Sequence, residues 1–170
     1  MSIQWILDPT HSEAQFKVKH MVISTVTGQF LDIHATATSA DEQFNEATFQ
    51  FTAKIDSIDT RNEQRDAHLK SDDFFNATDF PELTFDSQSF DGDTVKGNIT
   101  IKGVTKVIEL SADFGGVITD PYGKQRAGFE FSGEINRKDF GLNWSATTEA
   151  GGLVVADKVK LLVNLEFIMQ

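Results

Sequence analysis

The sequence contains no cysteine, which excludes disulfides, thiolate nucleophiles and cysteine metal sites. The fold must hold by noncovalent packing. No run approaches the roughly 18 consecutive apolar residues of a membrane-spanning helix, so no transmembrane segment is expected. The opening residues Met1-Ser2-Ile3-Gln4-Trp5 carry neither a basic region nor an apolar stretch, and no secretory signal is read there. A cytoplasmic location is the expectation, or a periplasmic one if a signal was removed. Positive charge is scarce: 15 Lys and Arg stand against 26 Asp and Glu, a formal net charge of −11. Over about a Debye length such a charge repels phosphate backbones and anionic lipid surfaces, and nucleic acid is excluded as an expected partner. Polar aromatics are also few, with one Tyr and two Trp beside 15 Phe. Most of the aromatic area therefore has no hydrogen-bonding handle.

The balance of 39% hydrophobic and 24% charged residues over 170 positions is that of one globular domain spanning residues 1–170. The dominant pattern is alternation with period two, in segments separated by turn residues. It runs through Ala14 to His20, Thr27 to Thr38, Ala47 to Ile55, Leu83 to Phe85, Val95 to Ile101, Ile108 to Phe114, Ala127 to Ile135 and Val159 to Phe167. About eight strands follow. Asp91-Gly92 suits a two-residue hairpin, Gly103 closes the next one between Ile101 and Val107, and Asp120-Pro121-Tyr122-Gly123 joins the sixth and seventh strands. Eight meandering strands with one apolar face each form a sandwich or close into a barrel, and closure removes exposed edges.

Two segments break the rhythm. Ser57 to Pro81 is too long for a hairpin loop and contains a capping-box spacing, Thr60 with Glu63, ahead of helix formers and an Asp66–Lys70 pair at i,i+4. One short helix is expected there, with Ser71-Asp72-Asp73 capping a further turn. Phe74, Phe75 and Phe80 crowd its exit and require burial, so the segment should fold onto the barrel as a lid. Asn136 to Asp157, with Phe140, Trp144 and Gly151-Gly152, is a second candidate lid.

Catalytic motifs are missing. His11, His20, His34 and His68 include no i,i+4 pair, and there is no H-E-x-x-H, no G-x-S-x-G and no phosphate-cradling glycine loop. No metal, cofactor or enzymatic activity is expected on this ground. Asp8-Pro9-Thr10-His11-Ser12 reads as a turn whose side chains bond the backbone, and Trp5 as a plug at one barrel end. The Arg65-Asp66-Ala67-His68 cluster reads equally well as a salt-bridged helix surface or as a ligand-contacting group.

Several blocks carry a family resemblance: Trp5-x-Leu7-Asp8 with His11-Ser12; Gly28-x-Phe30; Ser57-Ile58-Asp59-Thr60 through Arg65-Asp66-x-His68-Leu69 to Asp73-Phe74-Phe75; Phe80-Pro81-x-Leu83-Thr84-Phe85; Gly97 to Thr105; and Arg137-x-Asp139-Phe140-Gly141-Leu142. Their order and spacing resemble the YceI-like proteins, lipocalin-like barrels that bind polyisoprenoid lipids. The resemblance runs nearly end to end. It implies a mainly β fold, an antiparallel lipocalin-like β-barrel with one or two short helices covering it, whose interior takes an isoprene tail.

Strand parity points Phe16, Val18, Phe49, Phe51, Phe85, Ile99, Ile101, Phe129, Phe131, Val163 and Phe167 inward, joined by Phe30. By parity alone these side chains pack on each other as a core; the resemblance makes them a ligand-lining wall, with Phe74 and Phe140 added from the lids. The expected function is binding, storage or transport of a prenyl chain or isoprenoid quinone by burying the tail. The alternatives are an enzyme acting on such a lipid through Arg65, Asp66 and His68, or a filled-core module acting through protein contacts in stress adaptation. Head-group candidates are Arg65, His68 and Arg137. Because Glu63, Asp66, Asp72, Asp73 and Asp139 lie beside the cations, internal pairing and a neutral head are expected. Phe74, Phe75 and Leu153-Val154-Val155 suggest a homodimer, which the resemblance also implies.

Overall fold

Residues 2–145 and 155–170 are described in a computed structural model of the chain. The alternating segments form strands β1 (Ile3–Leu7), β2 (Glu13–His20), β3 (Ser24–Phe30), β4 (Ile33–Ser39), β5 (Thr48–Lys54) and β6 (Ile58–Asp59). Helix α1 (Glu63–Lys70) follows, and then β7 (Glu82–Phe90), β8 (Thr94–Ile101), β9 (Val104–Thr119), β10 (Gln125–Asn136) and β11 (Val155–Met169). The ring order is β1-β4-β5-β7-β8-β9-β10-β11, and β11 closes back onto β1 through Trp5↔Met169 and Leu7↔Phe167. The result is a closed eight-stranded antiparallel barrel without the free edges that invite aggregation.

The remaining three segments lengthen it. β2 continues β1 along the same neighbour, since β11 pairs with β1 at 167–169 and with β2 at 155–164. β3 and β4, broken at Leu31-Asp32, form the next long stave, and β5 and β6 the one after. The first break is Pro9, which has no N–H for a ladder. Asp8 turns the chain there: its Oδ1 accepts from Thr10 N at 2.9 Å and from Thr10 Oγ1 at 2.6 Å, while Ser12 Oγ donates to the Asp8 carbonyl at 2.8 Å. The backbone-bonding turn expected from the sequence is therefore present.

Some local expectations change. The two-residue hairpin falls at Lys102-Gly103, both with positive φ, between the paired residues Ile101 and Val104; Gly adopts such angles without steric cost. Asp91-Gly92 belongs to a longer turn between paired Phe90 and Val95, in which the Asp91 carboxylate accepts from the Asp93 and Thr94 amides. Asn62, not Thr60, caps α1, accepting from Arg65 N at 2.9 Å. Asp66 is taken by Thr60 N and Oγ1 rather than by Lys70. A neutral hydroxyl inside a turn holds a carboxylate more firmly than a freely rotating lysine on a solvated face.

In an up-and-down barrel alternate connections fall at the same end. The 21–23 turn, the 60–81 segment, the 102–103 turn and the connection from β10 to β11 share one end; the 40–47, 91–93 and 120–124 turns share the other. The second end is closed. Trp5 is 1% exposed and Phe44 2%, with ring centroids 4.7 Å apart, and Phe44 lies 4.7 Å from Phe129 and 5.1 Å from Phe114. The indole Nε1 of Trp5 donates to Ser39 Oγ at 2.9 Å, so its polar edge is satisfied inside the plug. Among the described residues no helix is long and apolar enough to cross a membrane.

Candidate functional site

Above the aromatic plug the inward face encloses a narrow channel in three overlapping sections. The inner chamber is a narrow cavity of about 80 Å³, and all its lining residues are apolar except Gln15 and Gln50. Phe16, Phe30, Phe49, Phe51, Phe85, Ile99, Phe131, Val163 and Phe167 line it, as strand parity places them. The waist, a cavity of about 90 Å³, adds Val18, Ile101, Phe74, Phe75, Leu69 and Leu142. The mouth, about 400 Å³, opens between β2, β3 and α1 and brings in Lys19, His20, Thr60, Asn62, Gln64, Arg65, His68 and Trp144. Phe16 lines all three sections. It stands where any chain passing inward must meet it. Gly28, paired with Phe16 across β2 and β3, leaves room for that ring: a Cβ there would lie 2.2 Å from Phe16 Cζ.

Two wall candidates fall elsewhere. Phe129 is 4% exposed and belongs to the plug, stacked 4.8 Å from Phe114 and 5.4 Å from Phe131, so tail space stops short of the barrel's full height. Phe140 is buried in the 3-10 turn at 137–140 and lines none of the three sections. Parity gives the direction of a side chain but not its depth along the axis, which is where both differ. Leu161 and Leu165, unnamed in the sequence reading, line the chamber on the same parity as Val163. Phe44 carried no periodic signal, because it sits in a turn at φ +60°, held there by Asp41 accepting from Gln43 N and Asn45 N.

Both irregular segments meet at the mouth. Lys102 Nζ donates to the Asp72 carbonyl at 3.0 Å and to the Gly141 carbonyl at 3.5 Å, joining them. The His68 ring lies 4.9 Å from Trp144 and 5.1 Å from Phe74, and its Nε2 is 2.8 Å from Asp73 Oδ2. Phe74 is 7% exposed, and Phe75, half-buried, packs against Phe30. Of the aliphatic run 153–155, only Val155 lies within the described residues.

The head-group candidates separate. Arg137 is 3% exposed and its guanidinium is consumed: Nε donates to the Ala156 carbonyl, one terminal nitrogen to the Leu142 and Trp144 carbonyls, the other to Val155, with Asp157 at 3.9 Å. Burial pulls its pKa down. It is a clasp between β11 and the lid, not a group free to meet a ligand. Lys138 is paired, but with Asp157 at 3.3 Å rather than with its sequence neighbour Asp139. Arg65 does not pair that way. It donates from Nε to Thr60 Oγ1 at 2.8 Å and from a terminal nitrogen to the Thr60 carbonyl, and among the described residues it forms no ion pair. Among the described residues no carboxylate lines the mouth beside Lys19 and Arg65, Asp73 being held by His68.

One ionic cluster lies outside the channel. Asp8, His11 and Glu166 converge as metal ligands might, but Arg126 holds Asp8 Oδ2 and Glu166 Oε2 at 2.8 Å each and Asp120 at 2.7 Å. The guanidinium occupies the charge position a cation would take. Hydrogen bonds from Thr10, then His11 and Arg126, hold the Asp8 carboxyl well below the usual carboxylate range, and Asp8 in turn raises His11.

Comparisons with known proteins agree with this geometry. A UPF0312 protein of Staphylococcus epidermidis is 39% identical over 164 residues, 94% of each chain, and one of Staphylococcus aureus is 37% identical over 163 residues. Among solved structures, a Campylobacter jejuni YCEI protein is 36% identical with a TM-score of 0.73, covering 89% of this chain and 90% of its own. Burkholderia cenocepacia BcnA shares the fold at a TM-score of 0.77 and 21% identity, over 94% of this chain and 98% of its own. So does a polyisoprenoid binding domain from Saccharophagus degradans, at 0.73 and 16% identity over 98% of each. The YceI-like domain matches residues 5–167, and the chain belongs to that family.

Proposed function

We propose that this protein binds and carries an amphiphilic polyisoprenoid lipid, its tail threaded past Phe16 into the inner chamber and its head held at the mouth. The observation that carries this reading is the continuity of one apolar channel from a polar opening to an aromatic plug. Burying hydrocarbon at about 25 cal/mol/Å² binds a long tail without any directional contact. The polyisoprenoid binding domain from Saccharophagus degradans, similar in fold, supports the same ligand class. Binding rather than catalysis is favoured because, among the described residues, the polar side chains lining the chamber are the amides of Gln15 and Gln50, and Arg137 at the waist is consumed by backbone carbonyls.

At the mouth Lys19, Arg65 and the Gln64 amide supply donors, and among the described residues no acid lines it beside them. That arrangement suits an acceptor-rich head, either the carbonyls of a prenylquinone or the oxygens of a prenyl phosphate. The neutral head expected from the sequence rested on internal pairing that Arg65 does not make. Mass spectrometry of organic extracts from the purified protein tests the reading: a near-stoichiometric prenyl lipid is expected, and protein free of lipid that also takes none up from added prenyl alcohol would overturn it. Competition between prenyl alcohol, quinone and diphosphate of equal chain length, at low and high salt, separates the two heads. A diphosphate lead that fades with screening marks Arg65 as an anion contact.

A further inference from the structure

The turn between β2 and β3 presents Met21, Val22 and Ile23 to solvent, at 42%, 74% and 84% exposure. Large apolar side chains side by side on a projecting turn are unusual on a protein that meets only water. The backbone makes them stranger. Met21 has φ +52° and Val22 φ +68°, the left-handed region that a β-branched side chain resists and where Gly or Asn would relax the chain. Strain of this kind persists where the side chain has a use.

The tip adjoins the channel mouth. His20 pairs with Ser24 across it, and Lys19, His20 and Val26 line the opening itself. On the outer face, Lys17 and Lys19 of β2 gather with Lys158 and Lys160 of the neighbouring β11 around a shallow groove. Lys17 and Lys160 are directly opposed across β2 and β11, an arrangement in which like charges destabilise the sheet. Glu134, at 3.6 Å, and Asp157 offset this patch only in part. In a chain of net charge −11, a local excess of lysine beside an exposed apolar tip calls for an anionic counterpart. The global charge acts weakly here, since screening limits it to about 8 Å at physiological salt.

We propose that the Met21–Ile23 tip inserts into the interfacial layer of an anionic bilayer, with Lys17, Lys19, Lys158 and Lys160 resting on its head groups. The channel mouth then faces the membrane. A second copy of the chain suits the surface less well, because a two-fold contact would bring the same lysines against each other. Docking goes beyond lipid carriage and does not require it, so the two are tested apart.

The test is flotation of the full chain with vesicles of phosphatidylcholine alone or mixed with phosphatidylglycerol. Binding to the anionic vesicles only, weakened by salt, is expected. Val22→Asp with Ile23→Asp should reduce it more than tenfold, whereas Ile118→Asp, an equally exposed apolar site near the closed end, should leave it unchanged. Replacing Lys17 and Lys19 by Gln should cost about fivefold for each lysine. Because the chain has no cysteine, Val22→Cys labelled with an environment-sensitive dye gives a second readout, an emission shift on anionic vesicles. No binding, equal binding to both vesicle types, or equal loss from Ile118→Asp would overturn the proposal. So would a dimer in sedimentation that Ile23→Asp dissociates. Vesicle binding by protein that extracts as lipid-free and takes up no added prenyl alcohol would uphold docking while refuting carriage.

Discussion

Replacing Gly28 by Ala puts a methyl group 2.2 Å from Phe16 Cζ and 2.8 Å from both Cε atoms. Carbon atoms rest at about 3.5–4.0 Å, so the ring must retreat by roughly 1.5 Å. Phe30, with its centroid 5.7 Å away, limits motion on one side, and the open direction is the channel axis. Overpacking of this kind costs about 1–3 kcal/mol, and each kcal/mol lowers Tm by roughly 2–4 °C in a chain of this size. A fall of roughly 4–8 °C is therefore expected for a cost near ~2 kcal/mol. The functional effect should be larger than the structural one, because the displaced ring narrows the waist between mouth and chamber. Titration with prenyl alcohols of increasing length should show long chains weakened at least tenfold while the shortest, held at the mouth, change little. Phe16→Ala should cancel both effects of Gly28→Ala in a double-mutant cycle. If Gly28→Ala costs as much without the Phe16 ring as with it, or leaves long-chain binding intact, Phe16 is not the gate.

Further outcomes follow from other parts of the barrel. Phe131→Asp should abolish prenyl-lipid binding in protein that still shows a β-sheet circular dichroism spectrum, while Glu130→Gln on the outward face should bind as wild type; equal effects would refute the parity assignment. Arg137→Met strands several buried carbonyls of the lid and should destabilise the fold by about 3–5 kcal/mol in urea melts; a loss under about 1 kcal/mol would show the clasp is idle. Asp8 titrates below its unfolded value, so its contribution is present above about pH 4 and lost as pH falls further, while that of His11, raised in the fold, is complete below about pH 6.5 and lost at higher pH. The stability gap between wild type and Asp8→Asn should therefore be widest near pH 5–6 and shrink on both sides; a gap independent of pH would contradict the ionic assignment.

Much of this was legible in the residues. Period-two alternation gave eight staves and the inward side of nearly every wall residue, because one face of a closed barrel is dry and a one-residue slip would turn it out. That both lids meet at one end became plain only from the strand order, since alternate connections of the barrel share an end. Depth was not legible. Phe129 and Phe131 read identically in sequence, yet one fills the plug and the other lines the chamber. Charge partners were equally hidden: Arg137 and Arg65 each sit beside acids in sequence, but the fold buries the first among carbonyls and leaves the second at the mouth with Thr60. The exposed tip at Met21–Ile23 falls between two alternating segments and carries no periodic signal of its own; only its place in a turn reveals it.

The most direct test is crystallographic: delipidated protein is soaked with a prenylquinone carrying bromine at the far end of its tail, and the anomalous signal is mapped. The bromine should lie inside the chamber among Phe49, Phe131, Val163 and Phe167, stopping above Phe129. A signal on the outer face of the barrel, or none in protein that has demonstrably taken up the lipid, would contradict burial of the tail in this channel.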